Sequence, residues 1–139
     1  MHRKIEYFSK IETVGNSLKK LYEIRKKVPD YEKYIKSWIY KDAAERNLHR
    51  AIEAIIDIGK MLISDKKLKI PESNREVFIL LAENDLFPAE YLDLIFKMIG
   101  VRNIIVHSYD KIDDSVLYGI LKKKLDDFKK ILQILKEQI

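Results

Sequence analysis

The chemistry-bearing residues of this chain gather in one short run, Val101-Arg102-Asn103-Ile104-Ile105-Val106-His107-Ser108-Tyr109-Asp110. Arg102, Asn103, His107 and Tyr109 can each contact a phosphate or move a proton, and they sit in an otherwise apolar stretch. An arginine and an asparagine placed there must reach a partner or lose hydration uncompensated. Arg102 and His107 are five positions apart, about 140° around a regular helix at 100° per residue. The two converge only if the helix ends between them or if a dimer presents both to one cleft. The plainer reading is open too: a histidine near a helix C-terminus can meet the last carbonyls, and Tyr109 can be a half-buried packing ring.

Other chemistries have little material. The histidines are His2, His49 and His107; none forms HxxxH or a ligand pair at helical spacing, which argues against a histidine-held metal. Glu53 and Asp57 lie four apart, a spacing that suits a hydrated Mg²⁺ but more often marks a solvated or arginine-paired face, the reading we favour. With no cysteine, disulfides, thiolate catalysis and cysteine-ligated metals are excluded. The 4 glycines are scattered, against the clustered glycines of nucleotide-binding turns. We therefore expect no metal and no cofactor.

The elements that must position these residues read as helical throughout. Sparse punctuation at Val28-Pro29-Asp30, Ile70-Pro71-Glu72-Ser73, Asn84 to Pro88 and Ser108 to Asp114 divides the chain into about five helical segments. The first runs from about Arg3 to Lys27. The second runs from about Asp30 to Lys66, with a break near Ser37, and carries the cleanest apolar seam: Ala44, Leu48, Ala51, Ile55, Ile58 and Leu62. Ser73 and Glu76 form a capping box for a short third segment. The fourth starts at Pro88 and is apolar nearly all round between Tyr91 and Val106. A helix of that kind needs cover on two sides, and a second copy across a two-fold axis would supply it. The fifth starts after Asp113, an N-cap, and carries Leu117, Leu121, Leu125, Phe128, Leu132, Leu135 and Ile139 on one side. No segment alternates with period two. The expected fold is all-α, an up-and-down bundle of four to five helices in one domain spanning 1–139, paired as a homodimer.

At 139 residues the chain suffices for one such domain. Its formal charge of +5 permits a nucleic-acid partner without requiring one. Lys122, Lys123, Lys124, Lys129, Lys130 and Lys136 enrich the last segment, though Asp126 and Asp127 interrupt them, and a solvated face is the plainer account. The charged start MHRKIEYFSKIE has no secretory pattern and no stretch is apolar enough to span a membrane, so a cytoplasmic location is expected.

The run Arg-Asn-x3-His-x-Tyr at the end of a buried fourth helix resembles the signature of the HEPN superfamily, and more closely that of the HepT-like toxins of nucleotidyltransferase-partnered (MNT–HEPN) toxin–antitoxin systems. Arg102, Asn103, His107 and Tyr109 fill that pattern without departure. The stretches Glu45-Arg46-Asn47-Leu48 and Ala51-Ile52-Glu53-Ala54-Ile55-Ile56-Asp57-Ile58 are similar to the family's second-helix style, and the likeness in length and helix order covers essentially the whole chain.

The resemblance implies a metal-independent ribonuclease toxin acting as a homodimer, its Arg102–His107 sites lining a cleft where the fourth helices meet. RNA carries its own nucleophile, the 2′-hydroxyl, so the enzyme must accept a proton and stabilise charge on phosphorus. His107 suits the first task, since imidazole is the side chain that exchanges a proton near neutral pH. Arg102 suits the second, by a two-pronged phosphate contact. Asn103 would orient the phosphate or the imidazole. The expected products are a 2′,3′-cyclic phosphate and a 5′-hydroxyl. The acid for the leaving group is unassigned, with His107 of a second subunit or water as candidates. The resemblance also implies an MNT-type nucleotidyltransferase antitoxin that adenylylates Tyr109, placing bulk and negative charge where RNA must bind; a contribution of Tyr109 to RNA binding is the simpler alternative. A rival reading keeps the fold but makes the chain a non-catalytic nucleotide- or phosphate-binding partner of a minimal nucleotidyltransferase.

Overall fold

The computed structural model describes residues 2–107 and 113–139. Among these are seven α-helices: α1 (His2–Lys27), α2 (Tyr31–Lys36), α3 (Trp38–Asp65), α4 (Asn74–Glu83), α5 (Leu92–His107), α6 (Asp114–Lys123) and α7 (Leu125–Lys136). The five expected segments are all present, two of them divided. Ser37 divides the second by ending α2 in an extended conformation and capping α3, its side chain accepting from the Tyr40 N–H. Lys124 divides the fifth, breaking α6 from α7 where the sequence pattern runs through. Nothing in Lys124's residue type marks that break.

The caps follow side-chain chemistry. Asp30, Ser73 and Asp113 are extended N-caps whose oxygens accept from backbone N–H groups of the first turns of α2, α4 and α6. The Glu76 carboxylate reaches back to the Glu72 N–H at 3.1 Å, one residue before the cap itself. Pro88 does not open the fourth helix directly. It stays extended and leads into a short 3₁₀ turn, Ala89–Tyr91, from which α5 begins. At the far ends of α3 and α4 the chain reverses through Lys67 and Asp85, both at positive φ (55° and 60°), where glycine is the usual choice. In each case the next amide, Leu68 or Leu86, bonds back to the carbonyl of Ile63 or Leu81, closing the helix.

Every other α-helix packs against α3. The seam read from the sequence is its buried face: Ala44, Leu48, Ala51, Ile55, Ile58 and Leu62 are all at most 1% exposed. Helix α1 lies antiparallel along α3, burying Tyr7, Val14, Leu18 and Leu21. Ion pairs fix their register: Arg3 Nε to Asp65 at 2.9 Å and Lys10 Nζ to Asp57 at 2.8 Å. On another side, α4 comes so close to Gly59 that a β-carbon there would lie 2.9 Å from Val77 Cγ1. Helix α5 lies against α3 and α4, burying Ile95, Met98, Ile99 and Val101. Its outer surface keeps Ile104 and Val106 exposed.

Candidate active site

Arg102 lies on the side of α5 that faces α3, and there it meets Glu53. The guanidinium donates from Nε to Glu53 Oε2 at 2.7 Å and from Nη2 to Oε1 at 3.2 Å, a side-on two-pronged pair. Nη1 donates to Asn103 Oδ1 at 3.1 Å. Of the five guanidinium N–H groups, three are thus engaged, and two have no acceptor among the described residues. The pair is half-buried, with 21% of the Arg102 side chain and 35% of the Glu53 side chain exposed. The Arg102 hydrogen bond holds the Glu53 carboxyl below the usual carboxylate range, with burial opposing it; Glu53 in turn raises the Arg102 guanidinium.

This geometry refines three expectations. Arg102 was expected to spend its fork on phosphate; its side edge is instead held by Glu53, and only its outer N–H groups are free to bind. Asn103 was expected to orient phosphate or imidazole, and within the chain it orients Arg102. The Glu53–Asp57 couple is an ion-paired face, as favoured: Glu53 holds Arg102 and Asp57 holds Lys10. Which cation reaches Glu53 was not readable, because that pairing crosses 49 positions of sequence.

His107 is the last residue of α5 and is exposed. The helix continues regularly through it, so it does not end between Arg102 and His107, and one of the two routes to their convergence is closed. Within the chain the two side chains project in different directions around α5. Tyr109 lies outside the described residues. The histidine that does reach the Arg102 pair is one the sequence reading passed over. His49, one turn before Glu53 on α3, places Nε2 3.5 Å from Glu53 Oε2, the same oxygen that accepts from Arg102 Nε. The four-residue spacing of His49 to Glu53 marks it in the sequence and corrects the expectation that no histidine has a ligand partner at helical spacing.

The lysines of the last segment are partly engaged. Lys122 donates to the Pro29 carbonyl at 2.9 Å, and Lys129 lies over the Tyr22 ring, 5.0 Å from its centroid. The Tyr22 hydroxyl donates to Asp126.

A bundle wrapped around one central helix, with Arg-Asn-x3-His closing its most apolar surface helix, defines a HEPN-type domain. The chain belongs to the ribonuclease HepT-like family, whose pattern matches residues 14–135. It is 30% identical over 130 residues to the mRNA nuclease HepT of Shewanella oneidensis, covering 94% of this chain and 96% of that protein. Over 95 residues it is 30% identical to the tRNA nuclease HepT of Aphanizomenon flos-aquae, covering 68% and 65%. Its fold matches the tri-AMPylated Shewanella oneidensis HEPN toxin solved in complex with MNT antitoxin, with TM-score 0.83, 30% identity and coverage of 95% and 97%. A toxin–antitoxin structure with AMP-PNP matches with TM-score 0.85, 29% identity and coverage of 95% and 98%. No helix among the described residues is long and apolar enough to cross a membrane.

Proposed function

We propose that this chain is the ribonuclease toxin of a toxin–antitoxin pair, cleaving RNA at Arg102 and His107 and silenced by a nucleotidyltransferase partner. The observation that carries the reading is the Arg102–Asn103–His107 end of α5 in a HepT-like bundle, with the half-buried Arg102 held by Glu53 and two of its guanidinium N–H groups without a partner among the described residues. Those N–H groups hold the scissile phosphate and strengthen their contact as charge grows on its oxygens. His107 takes the proton of the 2′-hydroxyl, whose oxygen attacks phosphorus; the P–O5′ bond breaks, leaving a 2′,3′-cyclic phosphate and a 5′-hydroxyl. RNA brings its own nucleophile, so no metal is called for.

Because α5 is regular through His107, Arg102 and His107 are brought together by a second copy. Exposed Ile104 and Val106 on the same stretch support pairing of the α5 ends about a two-fold axis. Tyr109, two residues past His107, is the proposed adenylylation site: AMP there adds bulk and negative charge at the mouth of a phosphate-binding cleft. The AMP carried by the related Shewanella toxin supports this reading.

Expression alone should arrest growth, and purified protein should cleave RNA without added metal. Arg102→Ala or His107→Ala should reduce cleavage by about 10³-fold or more with the thermal melt retained. Full cleavage by His107→Ala protein overturns the mechanism. Tight AMP binding with no cleavage of any RNA would make the chain a phosphate-binding partner instead. Co-purification with an MNT-type nucleotidyltransferase should add AMP masses that Tyr109→Phe removes.

A further inference from the structure

Cleavage by transesterification needs two proton carriers, one to take the 2′-hydroxyl proton and one to protonate the departing 5′-oxygen. We propose that His49 is the second carrier, a catalytic acid acting beside Arg102 in the same protomer; this rests on the reading of Arg102 as the residue that holds the phosphate.

The fold attaches His49 to Arg102 through a single atom. Glu53 Oε2 lies 2.7 Å from Arg102 Nε and 3.5 Å from His49 Nε2, so the imidazole and the guanidinium flank one carboxylate oxygen. A histidine and a glutamate four apart on a helix are by themselves an ordinary surface pair of small energetic consequence. The difference here is the third member, an arginine from another helix with two N–H groups that have no partner among the described residues. The His49 side chain is 35% exposed, so it is open to a substrate seated on those groups. His107, by contrast, projects away from Arg102 around α5 and reaches it only through a second copy. A phosphate held by Arg102 thus has His49 on one flank from its own chain and His107 on the other from the partner.

The step balances without further reagents. His107 accepts the proton from O2′, O2′ bonds to phosphorus, the P–O5′ bond breaks, and O5′ takes a proton from the His49 ring nitrogen that Glu53 leaves free. Glu53 holds the imidazole and the guanidinium beside one carboxylate oxygen, and its charge is balanced by Arg102 before substrate arrives.

The test uses a short RNA cut by the wild-type protein and its twin carrying sulfur in place of O5′ at the cleaved bond. A thiolate leaves without a proton, so the twin needs no acid. His49→Gln should slow cleavage of the all-oxygen RNA by about 10²-fold or more and of the sulfur twin by less than about 5-fold, while His107→Gln should slow both. The ratio of the two rates is taken within one protein sample, so a partly misfolded variant does not distort it. Equal slowing of both RNAs by His49→Gln makes His49 a positioning or structural residue and overturns the proposal. No slowing of either leaves it a surface residue and overturns it equally. If wild-type protein cuts the RNA but Arg102→Ala does so at full rate, the phosphate-holding reading fails first, a result distinct from failure at His49.

Discussion

Helix α3 meets α4 and α5 on opposite terms. Against α4 the contact is dry and tight: Gly59 lets Val77 and Phe78, both fully buried, press directly on the α3 backbone, and Phe78 in turn meets Phe87 edge-on at 5.3 Å. Against α5 the same helix presents a carboxylate, and the contact is closed by Glu53 and Arg102, with His49 alongside. The first seam is specified by shape, and its strength comes from burial and packing. The second carries desolvated charge that an apolar pair of similar size would avoid. The difference teaches that burial accounts for the first seam, while the second sets a paired charge at the end of α5 where the proposed site lies.

The sharpest way to break the comparison is to make the second seam resemble the first. Glu53→Leu combined with Arg102→Leu removes both charges together, so neither is left buried alone. Half-buried pairs of this kind are partly screened by solvent, and the double variant should unfold within about 1 kcal/mol of the wild type. RNA cleavage should fall by about 10³-fold or more, equivalent to about 4 kcal/mol of transition-state stabilisation. Measured together by urea unfolding and by cleavage rate, these outcomes separate fold from function. A large loss of stability in the double variant would show that the polar seam is structural after all.

The converse test disturbs the dry seam. In Gly59→Ala the new methyl lies 2.9 Å from Val77 Cγ1 and 3.2 Å from Phe78 Cζ, and both side chains are fully buried. Overpacking should outweigh the helix-propensity gain of about 1 kcal/mol and leave a net loss of about 1–2 kcal/mol. The thermal midpoint should drop by several degrees, while cleavage by the folded fraction stays as in the wild type. Gly15, with nothing within 4 Å of a β-carbon, is the matched control on α1.

The two seams also differ in how far they could be read from residues alone. The apolar packing of α3 was legible because its spacing is periodic: Ala44 through Leu62 could hardly face anything but a core, and Ser37, Ser73 and Asp113 announce their caps by side-chain chemistry. The break at Lys124 was not legible, since lysine neither stops nor starts a helix. Nor were the reversals at Lys67 and Asp85, where no glycine marks the positive φ. The polar seam was half legible. Arg102 in an apolar helix demanded a partner, and Glu53 stood on a face suited to one. Joining them required the packing of α5 on α3, which no local pattern encodes when the chain carries 27 basic residues. His49 was missed for the same reason, its meaning lying in Glu53's other partner.

The smallest expected effect separates the seams by pH. Arg102 holds the Glu53 carboxyl below its ordinary value near 4.3, so the folded state binds this proton less readily than the unfolded chain does. The stability that follows is fully present above the unfolded pKa and is lost as pH falls through the folded one. With about a third of the Glu53 side chain exposed, the contribution should stay under about 1 kcal/mol. Glu53→Gln keeps the hydrogen-bonding shape but not the charge. Its urea midpoint should therefore lie slightly below the wild type at pH 7, and the gap should close in acid, as the pH falls through the depressed pKa of the wild-type carboxyl. The penalty of Gly59→Ala involves no titrating group and should be the same at both pH values. A Glu53→Gln gap that persists unchanged in acid would mean that shape, not charge, holds α5 to α3, and the contrast between the two seams would be lost.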